Sequence, residues 1–132
     1  MSVFLDTSGI VAVIDRNDSN HARADRLWRR ILASEESLVT SNYVLVETFA
    51  LIQHRIGLEA VRELMRDVVP VLTIRWLGEG QHNSATGAVL AAGRRRLSLV
   101  DCTSFEVMKE MGIRRCFAFD PHFREQGFEC LP

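Results

Sequence analysis

Three short apolar runs in this sequence each end in an aspartate. Ser2-Val3-Phe4-Leu5 leads to Asp6, Leu97-Ser98-Leu99-Val100 to Asp101, and Cys116-Phe117-Ala118-Phe119 to Asp120. Runs that are apolar at nearly every position, rather than alternating, suit strands covered on both faces of a parallel sheet. The segments between them have the character of helices. Thr7 and Ser8 offer hydroxyl caps for a helix through Gly9–Ile14, and the polar stretch from Asp15 to Asn20 ends it. From about Asn20 to Ala33, Ala24, Leu27, Trp28, Ile31 and Leu32 form one stripe, with Arg23, Arg26, Arg29 and Arg30 on the other side.

Leu38-Val39-Thr40 reads as a second strand, followed by a helix capped near Ser41 or Asn42 and running to about His54. Gly57 separates this from an amphipathic helix bearing Leu58, Val61, Leu64, Met65 and Val68. Pro70 stops that helix ahead of a strand at Val71–Ile74. An alanine-rich helix from about Gly80 to Gly93, a strand at Leu97–Val100 and a helix from about Asp101 to Met111 come next. The strand at Cys116–Phe119 follows, and the tail Gly127–Leu131 offers an edge strand. Strands alternating with helices predict an α/β sandwich with a mostly parallel sheet of about five short strands. At 132 residues, without linker or repeat, the chain suits a single domain spanning positions 1–132.

In an open parallel sheet the C-terminal ends of the strands share one edge, where ligands bind. Asp6, Asp101 and Asp120 are therefore expected to be neighbours in space. Each also suits a helix N-cap, Asp120 above all because Pro121 follows it. Glu47 points more strongly to a site. Within the helix its neighbours at three and four positions are Tyr43, Val44, Ala50 and Leu51, none of which neutralises a carboxylate. An isolated buried charge costs several kcal/mol, so Glu47 must reach a cation, an arginine such as Arg55, or a groove open to water. One metal ion shared by Asp6, Glu47, Asp101 and Asp120 would offset the repulsion among all four. Oxygen donors without histidine or thiolate select Mg²⁺ or Mn²⁺ over zinc, and the chemistry natural to such a site is phosphodiester hydrolysis.

Composition closes off several alternatives. The three cysteines, Cys102, Cys116 and Cys130, form no CxxC pair, and the four histidines show no HxxxH spacing, so neither a zinc site nor a disulfide framework is expected. No apolar stretch is long enough to span a bilayer and Asp6 interrupts the N-terminal one, which predicts a cytoplasmic protein with no membrane association. The net charge of −1 gives no bulk attraction to nucleic acid. The basic residues nonetheless number 16, with Lys109 the one lysine among arginines suited to phosphate.

The blocks Phe-Leu-Asp-Thr-Ser at the start, Val-Glu-Thr in the Glu47 helix, Leu-Ser-Leu-Val-Asp-Cys-Thr-Ser, and Phe-Asp-Pro-His-Phe near the end together resemble the signature of PIN-domain nucleases. Their order and the total length resemble the small prokaryotic branch, the VapC-type toxins of toxin–antitoxin pairs. The resemblance implies a three-layer α/β/α sandwich, a homodimer, Mg²⁺- or Mn²⁺-dependent endoribonuclease activity on RNA, and a cognate antitoxin protein. It places the acidic set on Asp6, Glu47, Asp101 and Asp120, and a site hydroxyl on Ser8 or Ser104. Cys102 stands where relatives commonly carry alanine.

Arg94, Arg95 and Arg96 precede the Leu97–Val100 run, which places them at the far end of that strand, toward solvent or an interface. Arg124, four residues after Asp120, is better placed for RNA phosphate. Two rival functions stay open: a PIN-type RNA processing or decay nuclease without antitoxin, and a non-catalytic interaction module in which the acids only cap helices. A haloacid-dehalogenase-like phosphatase fits poorly, because Ser8 stands where the second acid is required.

Overall fold

The computed structural model describes residues 1–131. Five strands, β1 (Ser2–Leu5), β2 (Ser37–Ser41), β3 (Leu72–Arg75), β4 (Arg115–Phe117) and β5 (Glu129–Cys130), form one all-parallel sheet in the order β3-β2-β1-β4-β5. Val3 pairs with Leu38 on one side and Arg115 on the other. Consecutive strand residues point to opposite faces, yet Val3, Phe4 and Leu5 are all fully buried, so helices cover both faces and the fold is a three-layer α/β/α sandwich. Its helices are α1 (Thr7–Ile14), α2 (His21–Leu32), α3 (Asn42–Arg55), α4 (Leu58–Glu63), α5 (Glu79–Ala92), α6 (Leu99–Met111) and α7 (His122–Glu125).

From β1 the chain steps outward to β2 and β3, then crosses back to β4 on the other side of β1. Strand order therefore reverses between β1 and β4, and a crevice opens at the C-terminal ends of that pair. The two strands are held close there. Asp6 N–H donates to Phe117 O at 3.2 Å, and α1 lies so near β4 that a Cβ on Gly9 would come within 2.4 Å of that same carbonyl oxygen. Phe123 of α7 packs edge-on against Phe105 of α6, with ring centroids 5.1 Å apart, and stacks near Phe4 at 6.5 Å. That aromatic cluster seats α6 and α7 against the central strand.

Several expectations need correction. Leu97–Val100 is not a strand. Ser98 caps α6, accepting from Asp101 N at 3.0 Å, while the Asp101 carboxylate accepts from Ser98 N at 3.2 Å. This reciprocal capping box turns Leu99 and Val100 into a first helical turn. Asp101 therefore sits in a helix and not at a strand end, and Arg94–Arg96 lie in the turn between α5 and α6. The tail supplies the fifth strand instead. The cap of α1 is Asp6 itself, whose carboxylate accepts from Ser8 N, rather than Thr7 or Ser8. The helix after Gly57 ends at Glu63, widens into a π-type turn over Leu64–Val68 and tightens into a 3₁₀ turn over Val69–Val71. Pro70, which has no N–H to donate, lies in that last turn.

Cys116 and Cys130 face each other across β4 and β5 with their Sγ atoms 3.5 Å apart, as free thiols. Among the described residues, no helix is long and apolar enough to cross a membrane.

Candidate metal centre

Asp6, Glu47, Asp101 and Asp120 line one cleft of about 360 Å³ at the β1–β4 crevice. They arrive there by four different routes. Asp6 follows β1, Glu47 projects from the second turn of α3, Asp101 from the first turn of α6, and Asp120 from the loop between β4 and α7.

Asp6 is 4% exposed and is held by Ser8, whose Oγ donates to Asp6 Oδ2 at 2.7 Å and whose N–H donates at 3.3 Å. The Ser8 hydroxyl also accepts from Phe119 N at 2.9 Å, tying the start of α1 to the loop that carries Asp120. Burial pushes the Asp6 carboxyl up to about 7, against the lowering effect of the Ser8 hydrogen bonds, and the charge of Asp101 adds to the rise. Glu47 is half-buried. Burial raises its carboxyl above the ordinary range, the Thr7 hydroxyl opposes this, and the charges of Asp101 and Asp120 push in the same direction as burial. Asp101 is raised first by burial and then by Asp120. The Ser98 N–H and His122 pull it back.

His122, which sequence reasoning did not assign to the site, closes the set. Its Nδ1 lies 3.1 Å from Asp101 Oδ2 and 3.1 Å from Asp120 Oδ1, and its backbone N–H donates to the same Asp120 oxygen at 2.9 Å. Asp101, Asp120 and His122 present ligand atoms that all lie within 4.8 Å of one another. Among the described residues, no lysine or arginine is ion-paired with any of the four acids. A pocket of hard oxygen donors that raise one another's proton affinity and lack a basic partner fits a hard divalent cation.

Of the two candidate hydroxyls, the structure brings only Ser8 to the acids. Ser104 is fully buried and donates to Val100 O at 2.9 Å within its own helix, away from the cleft. Arg96, expected at the far end of a strand, lines the cleft, as do Arg55, Asp18 and Asn20. Arg94 instead pairs with Glu125. Arg124 lines an adjoining cavity of about 260 Å³ with Arg23, and the two cavities share Asn20, Phe119 and Asp120.

A larger cavity, about 490 Å³, lies along the other side of α3 and contains no ionisable group; Val46 (71% exposed) and Trp76 (67%) are on its rim. It offers no chemistry, and the smaller acidic cleft is the candidate centre. It also explains the composition of α3: the helix is apolar nearly all round because one apolar face is exposed, and Glu47 stands at the edge of that face. Replacing Glu47 with Gln is therefore expected to raise the melting temperature of the metal-free protein at pH 7.5, by roughly 2 °C, since it removes repulsion from Asp101 and Asp120. A clear fall, measured by calorimetry, would instead show Glu47 to be a structural ion-pair partner.

Comparison with known proteins gives a consistent result. The sequence profile of the PIN domain matches residues 3–129. The 23S rRNA-specific endonuclease VapC20 of Mycobacterium tuberculosis is 35% identical over 128 residues, covering 96% of this chain and 95% of its own. The crystal structure of that VapC20, described as a sarcin–ricin loop cleaving toxin, aligns with a TM-score of 0.83 at 32% identity, over 96% of this chain and 95% of the other. FitAcB from Neisseria gonorrhoeae aligns with a TM-score of 0.69 at 13% identity, over 100% and 97%, a likeness of fold alone.

Proposed function

We propose, from the premise that the chain belongs to the PIN-domain family, that it is a metal-dependent endoribonuclease and the toxin of a toxin–antitoxin pair. The observation that carries this reading is the convergence of four carboxylates on one cleft with, among the described residues, no lysine or arginine paired to them. Asp6, Glu47, Asp101 and Asp120 would hold Mg²⁺ or Mn²⁺. When bound, the cation supplies Lewis acidity toward the phosphoryl oxygens and makes water more acidic.

The chain's own residues account for the rest. Ser8 fixes the orientation of Asp6. Glu47, half-buried with its proton affinity raised, is suited to accept a proton from the water that attacks phosphorus. Arg55 and Arg96 line the same cleft and offer planar forks to the phosphate, while Arg23 and Arg124 line the adjoining cavity and suit the next stretch of RNA backbone. Water adds to phosphorus, a P–O bond breaks, and the departing sugar oxygen takes up a proton.

The kinship to VapC20 supports 23S rRNA as the substrate and an antitoxin as partner. It favours the toxin over a processing nuclease without antitoxin. The carboxylate cleft weighs against an interaction module in which the acids only cap helices. The exposed apolar face around Val46, Phe49 and Trp76 supports a protein partner, which we assign to a homodimer or the antitoxin. The whole chain, 1–132, serves as the nuclease domain in the cytoplasm, where ribosomes are its target.

Purified ribosomes incubated with the protein and Mg²⁺ or Mn²⁺, followed by primer extension, are expected to show one discrete break in 23S rRNA that EDTA abolishes. Intact 23S and bulk RNA under both metals would overturn the proposal.

A further inference from the structure

We propose that His122 is a positioning residue of the metal centre, its ring Nδ1–H holding Asp101 and its backbone N–H holding Asp120 toward one cation. The inference rests on the metal-dependent reading above and adds a group that reading does not use. The Nδ1 atom is 3.1 Å from a carboxylate oxygen on each side. The ring bonds Asp101 Oδ2, and a carboxylate only accepts, which puts the ring proton on Nδ1. One residue thus bridges two groups that repel each other, its ring donor on Asp101 and its backbone donor on Asp120.

The two acids come from different parts of the chain. Asp101 is in the first turn of α6, while Asp120 is in the loop after β4, outside any regular element. His122 links them: its ring donates to Asp101, while its backbone N–H donates at 2.9 Å to the Asp120 oxygen that the ring nitrogen also contacts. Asp120 is therefore held by the same residue that holds Asp101. His122 is itself held in place: its side chain is 13% exposed, and Phe123 beside it is fully buried against Phe105 and Phe4. Hydrogen bonds that orient metal-binding carboxylates in this way usually change metal affinity by 10–100-fold.

Direct ligation is the rival role for the ring, since all three ligand atoms lie within 4.8 Å of one another. Amide isosteres separate the two roles. The side-chain nitrogen of asparagine falls near the position of Nδ1, whereas that of glutamine falls near Nε2, and both amides donate where a neutral imidazole nitrogen would ligate. Mn²⁺ titration calorimetry on the full-length protein without RNA is the test. Wild-type binding tests the metal-dependent reading by itself.

Given that binding, His122→Ala and His122→Gln are expected to weaken Mn²⁺ by about 10–100-fold, and His122→Asn to stay within about threefold of wild type. Wild-type affinity in His122→Ala would overturn the inference while the metal-dependent reading stands. Affinity in His122→Asn as weak as in His122→Ala would overturn it in favour of direct ligation. Should circular dichroism show His122→Ala unfolded, the Asn–Gln pair decides: glutamine binding as tightly as asparagine overturns the inference, and asparagine alone at wild-type affinity supports it.

Discussion

Asp6→Asn is expected to cut RNA cleavage by a factor on the order of 10³ or more while leaving a folded protein, because the lost carboxylate would have held a cation supplying several kcal/mol of charge stabilisation. Asp101→Asn is expected to behave alike, and its amide oxygen can still accept from Ser98 N to cap α6. At position 6 the asparagine oxygen can accept from Ser8, so the cap of α1 survives. The same variant also reads out the cost of burying the Asp6 carboxylate. Asp6 has its acidity shifted from 3.8 to about 7 in the fold. The folded state therefore binds this proton more tightly than the unfolded chain does. Its contribution to stability is fully present below pH 3.8 and is lost as pH rises through about 7. Over that window Asp6 should cost the metal-free wild type on the order of 4 kcal/mol that Asp6→Asn does not lose, Glu47 and Asp101 should add a decline common to both, and saturating Mn²⁺ should flatten the wild-type curve. Chemical denaturation at a series of pH values, alongside a cleavage assay, measures both effects. Wild-type cleavage by Asp6→Asn would remove this cleft from the mechanism.

Gly9→Ala is expected to destabilise the fold by about 3 kcal/mol, or roughly 10 °C in melting temperature, although alanine in a helix is ordinarily the better residue. Gly9 has ordinary helical backbone angles, so conformational freedom is not the issue. Space is. The added methyl would stand 2.4 Å from Phe117 O and 2.7 Å from the Phe117 ring. A backbone carbonyl in a sheet cannot swing aside as a flexible side chain can. Either α1 lifts away from β4 or the Asp6 N–H to Phe117 O bond is lost, and each displaces the carboxylate that follows β1. A weaker Mn²⁺ affinity should accompany the lower melting temperature. A melt at or above the wild-type temperature would show that the two elements are not in contact in this way.

The class of fold could be read from the chain because unbroken apolar runs such as Val3-Phe4-Leu5 have few homes other than a doubly covered parallel strand. The strand at 97–100 failed for an identifiable reason. Leu97, Leu99 and Val100 are apolar, but Ser98-x-x-Asp101 is also the pattern of a helix capping box, and the local hydrogen bonds prevail over the apolar count. That one error displaced Arg96, which a turn rather than a strand brings into the cleft. Asp6 and Asp120 could be picked out individually by their place after apolar runs. Which of Ser8 and Ser104 faces the acids could not, since a serine donating within its own helix and one bridging two elements look the same in sequence. His122 lay beyond reach for a similar reason: a lone histidine has meaning only once tertiary structure brings two carboxylates to it.

The bond from Phe119 N to the Ser8 hydroxyl spans 111 residues. During synthesis the half of the cleft that contains Asp6 emerges early and must wait for the half that contains Asp120. At about 5–20 residues per second the delay is on the order of ten seconds. Throughout it, the emerging ribonuclease has no assembled centre, so chain topology keeps it inactive for as long as that synthesis lasts.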